Sequence, residues 1–254
     1  MRILIISDIH ANLEALEACL DAAPAHDRVF NLGDIVGYGA NPNEVTERAR
    51  ALGEVFVRGN HDKACSGVME PEDFNDVARI AAYWTRSQMR PDNIDYLRTL
   101  PKGPRKVADG FAILHGSPRD EDEYVPAPWA AAGVFEFLSA SVSFFGHTHL
   151  QGGFVRSRRR IQGIPLKAVT SSSAVGSGKK ARGVLELQPD ETFLINPGSV
   201  GQPRDRDNRA AFAIYDTDGI VEYGRAAYDI RTTMMKIIDA GLPDFLAYRL
   251  ALGR

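Results

Sequence analysis

Alternation between short apolar runs and amphipathic segments near the amino terminus constrains the fold of this chain more than any other feature. Residues 2–7 form a continuous Ile-rich run, which is typical of a strand buried on both faces. Residues 12–22 carry leucines at helical spacing, and further strands are predicted at residues 28–32 and 54–58. A helix that starts after Asn41 lies between those two strands. This order predicts parallel strands with crossover helices.

After Leu150 the predicted secondary structure changes from alternating helices and strands to closely spaced strands. Before it, the pattern predicts helices at residues 73–89, 93–100 and 128–138, and strands at residues 111–114 and 142–145. After it, short strand-like runs separated by Pro-Asp and Asp-Gly turns predict a largely antiparallel sheet, followed by a helical tail from Asp229. We therefore expect a single domain over residues 1–254, with two sheets and helices outside both.

Composition excludes several classes of protein. Hydrophobic residues make up 44% and charged residues 25%, which is typical of a globular protein and not of a disordered one. Two cysteines cannot form a disulfide framework for 254 residues. The net charge of -3 creates no general attraction to nucleic acid or to an acidic membrane. Without a long apolar run or a signal-like start, we expect a cytoplasmic protein that does not enter a membrane.

Residues of the types that bind metals follow five of the predicted strands. The carboxyl ends of parallel strands meet at one edge of a sheet, so these side chains are expected to lie together. They are Asp8 and His10, Asp34, Asn60 with His61, His115, and His147 with His149.

The distribution of histidines favours a metal site over separate structural roles. Taken singly, an Asp at a strand end is usually a helix cap, and a buried His is usually a hydrogen-bonded core residue. Of the six histidines, however, only His26 lies outside these motifs, and we interpret it as a turn or surface residue. Clustered His, Asp and Asn side chains are the donors that transition metals prefer in proteins.

The motifs, in their order, are Asp8-x-His10, Gly33-Asp34, Gly59-Asn60-His61-Asp62, His115-Gly116 and Gly146-His147-Thr148-His149. This order resembles the calcineurin-like metallophosphoesterases, and the resemblance extends from Arg2 to about Tyr223. It is similar to a bacterial and archaeal branch grouped with diadenosine tetraphosphatases and protein phosphatases. The resemblance implies an α/β fold with four layers, an α-β-β-α sandwich in which helices flank two mixed sheets.

The resemblance also implies a ligand set for two divalent or trivalent metal ions, either Mn, Fe, Zn, Ni or Co, with Mn favoured. No other cofactor is expected. Such a pair of ions lowers the pKa of a shared water and stabilises charge on a phosphoryl group. The implied ligands are Asp8, His10 and His149 for one ion, Asn60, His115 and His147 for the other, and Asp34 as a bridge.

His61 and Asp62 are the implied catalytic residues beside these ligands. His61 would stabilise the transition state or protonate the leaving oxygen. Asp62 would orient the His61 ring, and the alternative is that it caps the following helix.

One segment departs from the family pattern. Enzymes of this branch carry Asp-Arg-Gly after Gly-Asp, with the Arg on phosphate, whereas this chain has Val36-Gly37-Tyr38-Gly39; Asp62 also stands where a Glu is usual. These differences argue against the specific activities of that branch and favour a phosphodiesterase or a broad phosphatase. We expect a phosphodiesterase acting on small substrates, nucleotides among them. The alternatives are a broad phosphomonoesterase or protein phosphatase, and a nuclease. A non-catalytic binding module is disfavoured because every expected ligand position is filled.

Four other segments have open interpretations. Residues 156–182 contain eight Lys or Arg and no acid, which predicts either a basic edge for nucleic acid or a solvated hairpin. Residues 120–123 are an acidic run that either tunes the site or is a solvated loop. Residues 170–178 predict a loop, and residues 196–199 a tight turn supporting the ligands. Asn12 and Tyr38 could face the substrate. The expected partner is a small phosphate ester, with nucleic acid less favoured and the oligomeric state open.

Overall fold

The computed structural model describes residues 1–53, 55–107, 110–164, 168–169 and 182–254. These ranges contain thirteen strands and eight helices. The strands are β1 (Arg2–Ile6), β2 (Arg28–Asn31), β3 (Val55–Phe56), β4 (Arg105–Val107), β5 (Phe111–Ile113), β6 (Val142–Phe144), β7 (Gly152–Ser157), β8 (Arg160–Gly163), β9 (Ala168–Val169), β10 (Arg182–Glu186), β11 (Glu191–Asn196), β12 (Ala210–Asp216) and β13 (Ile220–Ala226). The helices are α1 (Leu13–Ala22), α2 (Pro42–Leu52), α3 (Asn60–Ser66), α4 (Asp76–Gln88), α5 (Pro91–Thr99), α6 (Pro128–Phe135), α7 (Ile230–Asp239) and α8 (Asp244–Leu252).

The strands form two mixed sheets. In the seven-stranded sheet the order is β3-β2-β1-β12-β13-β10-β9, and the six-stranded sheet has the order β4-β5-β6-β11-β7-β8. β1, β2 and β3 run parallel, and β12 pairs antiparallel with β1 on its other side. In the second sheet β5, β6 and β11 run parallel, and β4 and β7 pair antiparallel at either side of them.

The apolar side chains of β1 divide between two cores, as its continuous Ile-rich sequence predicts. Leu4 and Ile6 pack against the helices that cover the seven-stranded sheet. Ile3 and Ile5 point the other way, into the core between the two sheets. Because side chains alternate across a strand, a strand with helices on one face and a sheet on the other must be apolar at every position.

Helices complete the outer layers. α1 and α2 contribute Leu16 and Val45 to the core on the seven-stranded sheet. α6 contributes Val134 and Phe135 to a smaller core against Phe154 of the six-stranded sheet. The structure therefore confirms the predicted α/β fold, a four-layer α-β-β-α sandwich.

The largely antiparallel pairing predicted after Leu150 is confirmed, but these strands are divided between both sheets and do not form one sheet of their own. Strands β7, β8 and β11 join the six-stranded sheet, whereas β9, β10, β12 and β13 join the seven-stranded sheet. The reason is that a hairpin pattern encodes the local pairing of strands but not the long-range pairing of β12 with β1 or of β11 with β6. The predicted loop at residues 170–178 and the segment 165–167 lie outside the described residues.

Details of several helices differ from the sequence pattern. α4 begins at Asp76 and not at residue 73, because the Asn75 side chain accepts a hydrogen bond from the Ala78 N–H at 3.0 Å. Asn41 is the residue before α2, but its side chain makes no capping bond. The short helix α3 was not indicated by periodicity, because seven residues are too few to show an apolar stripe.

No helix in the described ranges combines the length and the apolar character needed to span a lipid bilayer.

Candidate metal centre

All seven predicted ligand side chains meet at one end of the two sheets. They come from both sheets. They meet because the strands that precede them run parallel within each sheet, so that their carboxyl ends share one edge. Asp8 and His10 follow β1, Asp34 follows β2, Asn60 begins α3, His115 follows β5, and His147 and His149 follow β6.

Four of these side chains form what we name the His10 cluster, composed of Asp8, His10, Asp34 and His149. Each offers one donor atom, and the four atoms lie within 4.8 Å of one another. His10 Nε2 is 3.1 Å from His149 Nε2, and His149 Nε2 is 3.4 Å from Asp8 Oδ1. All four residues are buried.

The His115 cluster is composed of Asp34, Asn60, His115 and His147. Donor atoms of Asp34, His115 and His147 again lie within 4.8 Å of one another. His115 Nε2 is 3.2 Å from Asn60 Oδ1 and 3.2 Å from His147 Nδ1. The amide oxygen of Asn60 therefore belongs to the same group of donors.

Asp34 is shared by the two clusters through one oxygen. Its Oδ2 lies 3.7 Å from His10 Nε2 and 3.4 Å from His115 Nε2. Its Oδ1 accepts a hydrogen bond from the backbone N–H of His61 at 2.8 Å. That hydrogen bond fixes the rotation of the carboxylate, so Oδ2 remains between the two groups of nitrogens.

Backbone carbonyls orient three of the imidazoles. The Nδ1 atoms of His10, His115 and His149 lie 3.1, 2.8 and 2.6 Å from the carbonyl oxygens of Val36, Leu32 and Gln202. A carbonyl oxygen only accepts, so each Nδ1 carries a proton and donates it. Each Nε2 is thereby directed into the clusters, which is the usual arrangement around metal-binding histidines. This donor set could hold metal ions.

The backbone at the ligands adopts an unfavourable conformation that other contacts maintain. Left-handed conformations of residues other than glycine cost about 1–3 kcal/mol each and concentrate at functional sites. The loop after β1 is held to the loop after β2 by hydrogen bonds from the N–H groups of Asp8 and His10 to the carbonyls of Gly33 and Asp34, both 3.0 Å. The predicted ligand residues with positive φ are Asp8 (53°), His10 (49°), Asp34 (56°), His147 (65°) and His149 (60°).

Burial and the Asp34 carboxylate set the pKa values of the histidines in opposite directions. Burial lowers the pKa values of His10 and His149 well below their usual range, and lowers that of His147 to about 3. For His115, burial also lowers the pKa, but Asp34 raises it more strongly, to about 10. A proton and a metal ion would therefore compete for His115, whereas the other three rings are neutral donors at neutral pH.

His61 lies beside the His10 cluster among aromatic rings. Its ring centroid is 4.9 Å from His10, 4.3 Å from Tyr38 and 4.8 Å from Phe74. Burial is the main cause that lowers the pKa of His61 to about 4. Its Nδ1 is buried and has no hydrogen-bond partner within the described part of the chain. A Cβ built on Gly37 would lie 2.5 Å from this Nδ1, so a glycine is needed at that position for the ring to stay where it is.

Asp62 contacts backbone amides and not the His61 ring. Its Oδ2 accepts from the N–H groups of Asp34 (2.8 Å) and Gly59 (3.0 Å), and its Oδ1 accepts from those of Ile35 (2.8 Å) and Val36 (3.3 Å). The expectation that Asp62 orients the His61 imidazole is therefore corrected. Asp62 is not the N-cap of a following helix either, because it is the third residue of α3, whose N-cap is Gly59. From there its carboxylate accepts from the Gly59 N–H and also fixes the loop that carries Asp34.

The turn after β11 supports the ligand loops from behind. The Ser199 hydroxyl donates to the Asp8 carbonyl at 2.8 Å, and the Asn196 amide donates to the Gly146 carbonyl at 2.9 Å. This is the supporting role predicted for residues 196–199. Asn12 belongs to the same framework, because its amide donates to the Gly201 carbonyl at 2.9 Å and its Oδ1 caps α1. Asn12 therefore supports the ligand loops, and it also lines a small pocket with His10 and Tyr38, so its role toward the substrate stays a prediction.

The acidic run at residues 120–123 is paired with basic side chains. Glu121 accepts from Arg58 at 3.0 and 2.9 Å and from Lys63 at 3.1 Å. Asp122 accepts from Lys63 at 2.6 Å. Arg58 and Lys63 flank Asn60, so these ion pairs join the loop after His115 to the helix that carries another ligand.

The described part of the basic segment is the hairpin of β7 and β8. Arg158, Arg159 and Arg160 are exposed at its tip. Gly152 at the other end of β7 is the end nearer to His149, so the tip lies a strand's length from the clusters. This agrees with a solvated hairpin and not with a basic edge at the site. The rest of the segment, residues 165–167 and 170–181, lies outside the described residues.

Three residues at the site were not singled out for a role in binding by the sequence pattern. Tyr124 is 46% exposed and its ring lies 5.4 Å from that of His147. Arg204 lies over Tyr38, with its guanidinium carbon 5.9 Å from the ring centroid. Arg249 of α8 interacts electrostatically with Arg204 and both tyrosines. Arg204 and Arg249 are far in sequence from the ligand motifs, and Tyr124, nine residues after His115, belongs to no motif, so no local spacing could indicate the three.

Comparisons with known proteins agree with this architecture. A sequence profile described as the calcineurin-like phosphoesterase superfamily domain matches residues 1–219. A metallophosphoesterase structure from Sphaerobacter thermophilus is 40% identical with a TM-score of 0.82, covering 100% of this chain and 99% of that chain. An uncharacterized protein of Methanocaldococcus jannaschii is 38% identical over 259 residues, which is 99% of this chain and 98% of the relative.

A more distant structure shows the fold alone. A hypothetical protein from Pyrococcus horikoshii OT3 is 19% identical, with a TM-score of 0.76 and coverage of 100% of this chain and 98% of that chain. Together with the profile match, these similarities confirm the family predicted from the motifs. This chain belongs to the calcineurin-like phosphoesterase superfamily.

Proposed function

We propose that this protein hydrolyses small phosphodiesters, nucleotides among them, with two metal ions. The observation that carries the proposal is the position of Asp34 Oδ2, 3.7 Å from His10 Nε2 and 3.4 Å from His115 Nε2. One carboxylate oxygen faces both clusters, as a bridge between two ions requires.

The two clusters divide the ligands between the ions. Mn is the favoured metal, and the same nitrogen and oxygen donors also suit Fe, Zn, Ni or Co. When bound, such a pair supplies a water of lowered pKa and withdraws charge from the phosphoryl oxygens. The proposed ligands are Asp8, His10 and His149 for one ion, Asn60, His115 and His147 for the other, and Asp34 for both.

His61 is the proposed catalytic residue of the chain. The rings of Tyr38 and Phe74 hold its imidazole beside His10, and burial keeps it neutral at neutral pH. A neutral imidazole has one N–H, which can donate to the phosphoryl oxygen or to the leaving oxygen as charge develops there.

Two observations favour a diester over a monoester. The ring of Tyr124 is exposed beside His147 and offers an aromatic surface to the second ester substituent, such as a base. The segment between Asp34 and α2 supplies no cation for a highly charged monoester. A broad phosphomonoesterase is the second candidate, and it is favoured by the position of Arg204 near His61.

The proposal is tested by hydrolysis of an aryl phosphodiester and of the matching monoester, with added Mn²⁺. We expect the wild-type protein to prefer the diester and His61→Ala to lose activity on it. His26→Ala is the matched control, because the His26 ring pairs with the nearby Pro24 carbonyl and lies outside the clusters. A preference for the monoester would select the second candidate. Failure of Mn-loaded protein to cleave either ester would contradict the proposal.

A further inference from the structure

Arg204 is attached to the ligand His149 through the backbone. Its N–H donates to the His149 carbonyl at 3.3 Å, and the Gln202 carbonyl accepts from His149 Nδ1 at 2.6 Å. These two hydrogen bonds therefore fix the backbone from Gln202 to Arg204 relative to His149. The Cα atom of Arg204 is thus held in place beside the site.

The side chain of Arg204 lies at the aromatic group around His61. Its guanidinium carbon is 5.9 Å from the centroid of the Tyr38 ring, and that ring is 4.6 Å from His10 and 4.3 Å from His61. One Nη donates to the Gln202 side chain at 2.8 Å. The Nε is buried and has no hydrogen-bond partner in the described ranges. The guanidinium is thus held in place by one hydrogen bond, and its Nε–H group remains able to donate to a ligand.

The charge of Arg204 has no carboxylate partner in the described part of the chain. The adjacent Asp205 pairs with Arg225 instead. A second cation, Arg249, lies near enough that burial and the charge of Arg204 lower its pKa to about 10, so Arg249 remains charged at neutral pH. Arg204 and Arg249 are both partly buried, and phosphoryl oxygens match the planar fork of a guanidinium.

We propose that Arg204, supported on the Tyr38 ring, binds the non-bridging oxygens of the substrate phosphoryl group, with Arg249 as a second, more distant cation. This inference rests on the proposed function and assigns the phosphate-binding residue of the same site. This chain has Val36-Gly37-Tyr38-Gly39 where related enzymes carry the phosphate-binding Arg after Gly-Asp. In the proposed arrangement Arg204, from the turn after β11, supplies that cation instead.

The test uses full-length, Mn-loaded protein and four variants: Arg204→Gln, Arg204→Lys, Arg249→Gln and Arg159→Gln. Three quantities are measured for each: kcat/KM on an aryl phosphodiester, affinity for inorganic phosphate by calorimetry, and bound Mn²⁺. Arg159→Gln is the matched control, because it removes the same charge from the exposed hairpin tip.

For Arg204→Gln we expect about 10- to 100-fold lower kcat/KM and phosphate affinity, with Mn²⁺ content unchanged, as the loss of a charged hydrogen-bond donor predicts. Arg204→Lys should recover part of the phosphate affinity, because it keeps the charge but not the fork. Arg249→Gln should lose less than Arg204→Gln, and Arg159→Gln should match the wild type.

Two outcomes overturn the inference. Wild-type phosphate affinity in Arg204→Gln would show that the guanidinium does not contact phosphate. Parallel loss of Mn²⁺ and activity, in Arg204→Lys as well, would show that the Arg204 side chain only maintains the structure around the metal site. The proposed function fails separately: if wild-type protein cleaves no ester while its phosphate affinity still depends on Arg204, the anion site stands and the hydrolase assignment does not.

Discussion

The Nε2 atoms of His10 and His149 lie 3.1 Å apart, although both rings use Nδ1 to donate to backbone carbonyls. Neither Nε2 then carries a proton, because burial lowers both pKa values well below the usual range. Two lone pairs face each other at hydrogen-bond distance, with the Asp8 carboxylate 3.4 Å from one of them. A metal ion that both nitrogens coordinate would remove the repulsion between their lone pairs.

Metal binding should therefore stabilise the fold. We expect protein stripped with a chelator to unfold at a lower temperature than Mn-loaded protein, with a gain of about 2.7 kcal/mol at a free metal concentration 100-fold above Kd. Thermal unfolding across a Mn²⁺ titration measures this gain. His26→Ala should respond as the wild type does, and His149→Ala should respond less. An identical unfolding temperature with and without metal would be inconsistent with the clusters acting as metal sites.

Loss of the His61 imidazole should reduce turnover without releasing metal. Because no ligand atom of either cluster belongs to this ring, we expect His61→Ala to lower kcat about 10²- to 10⁴-fold and to leave Mn²⁺ content unchanged. Steady-state kinetics with metal analysis on the same samples measures both. His61→Asn keeps a hydrogen-bond donor and should retain more activity. Wild-type kcat in His61→Ala would remove His61 from the mechanism.

Asp62 should matter for stability in a way that His61 does not. Its carboxylate accepts hydrogen bonds from the backbone of Asp34, Ile35, Val36 and Gly59. Asp62→Ala leaves these buried donors unpaired, and we expect a loss of about 3 kcal/mol or more in the free energy of unfolding. Denaturant titration measures it, with Asp62→Asn as an isosteric variant of smaller effect. A fully stable Asp62→Ala that has lost only turnover would favour the catalytic role instead.

Acid should weaken the link between the His115 loop and α3. Partial burial raises the pKa of Glu121, but hydrogen bonds from Arg58 and Lys63 outweigh it and lower the pKa to about 2. A lowered carboxyl pKa stabilises the fold above the ordinary Glu value, and this stabilisation is lost as pH falls from about 4.5 toward about 2.

Comparison of wild type with Glu121→Gln tests this pH dependence. The stability difference between the two, from denaturant titrations, should be largest above pH 5 and shrink as pH falls. Asp21→Asn removes a comparable charge from an exposed position of α1 and should show no such trend. A difference between wild type and Glu121→Gln that stays constant down to pH 3 would contradict the assignment of these ion pairs.

Much of the fold could be predicted from the sequence because its strongest signals are local. The Ile-rich run of β1 indicates burial on both faces, and the alternation that follows indicates parallel strands. The ligand motifs follow from the same logic, since parallel strands deliver Asp8, Asp34 and His115 to shared sheet edges. Strand partners such as β1 and β12 could not be predicted, because a register between distant segments leaves no periodicity in either one.

The same distinction separates the predicted from the unpredicted parts of the site. Asp62 stands next to His61 in the sequence, yet its carboxylate points to the backbone of the Asp34 loop, which only tertiary structure shows. Arg204 comes to Tyr38 from a separate turn, held there by its bond to His149. The roles of Asp62 and Arg204 depend on contacts with distant segments of the chain. Residue spacing within one segment cannot reveal such roles.

The most direct test of the central claim is the number of Mn²⁺ ions bound per chain, measured by calorimetry and by metal analysis after desalting. The geometry of Asp34 Oδ2 between His10 and His115 predicts two ions for the wild type. It also predicts one ion or none for Asp34→Asn, with hydrolysis of the aryl phosphodiester lost in parallel. A wild-type protein that binds a single ion, or an Asp34→Asn variant that retains both, would contradict the dinuclear centre.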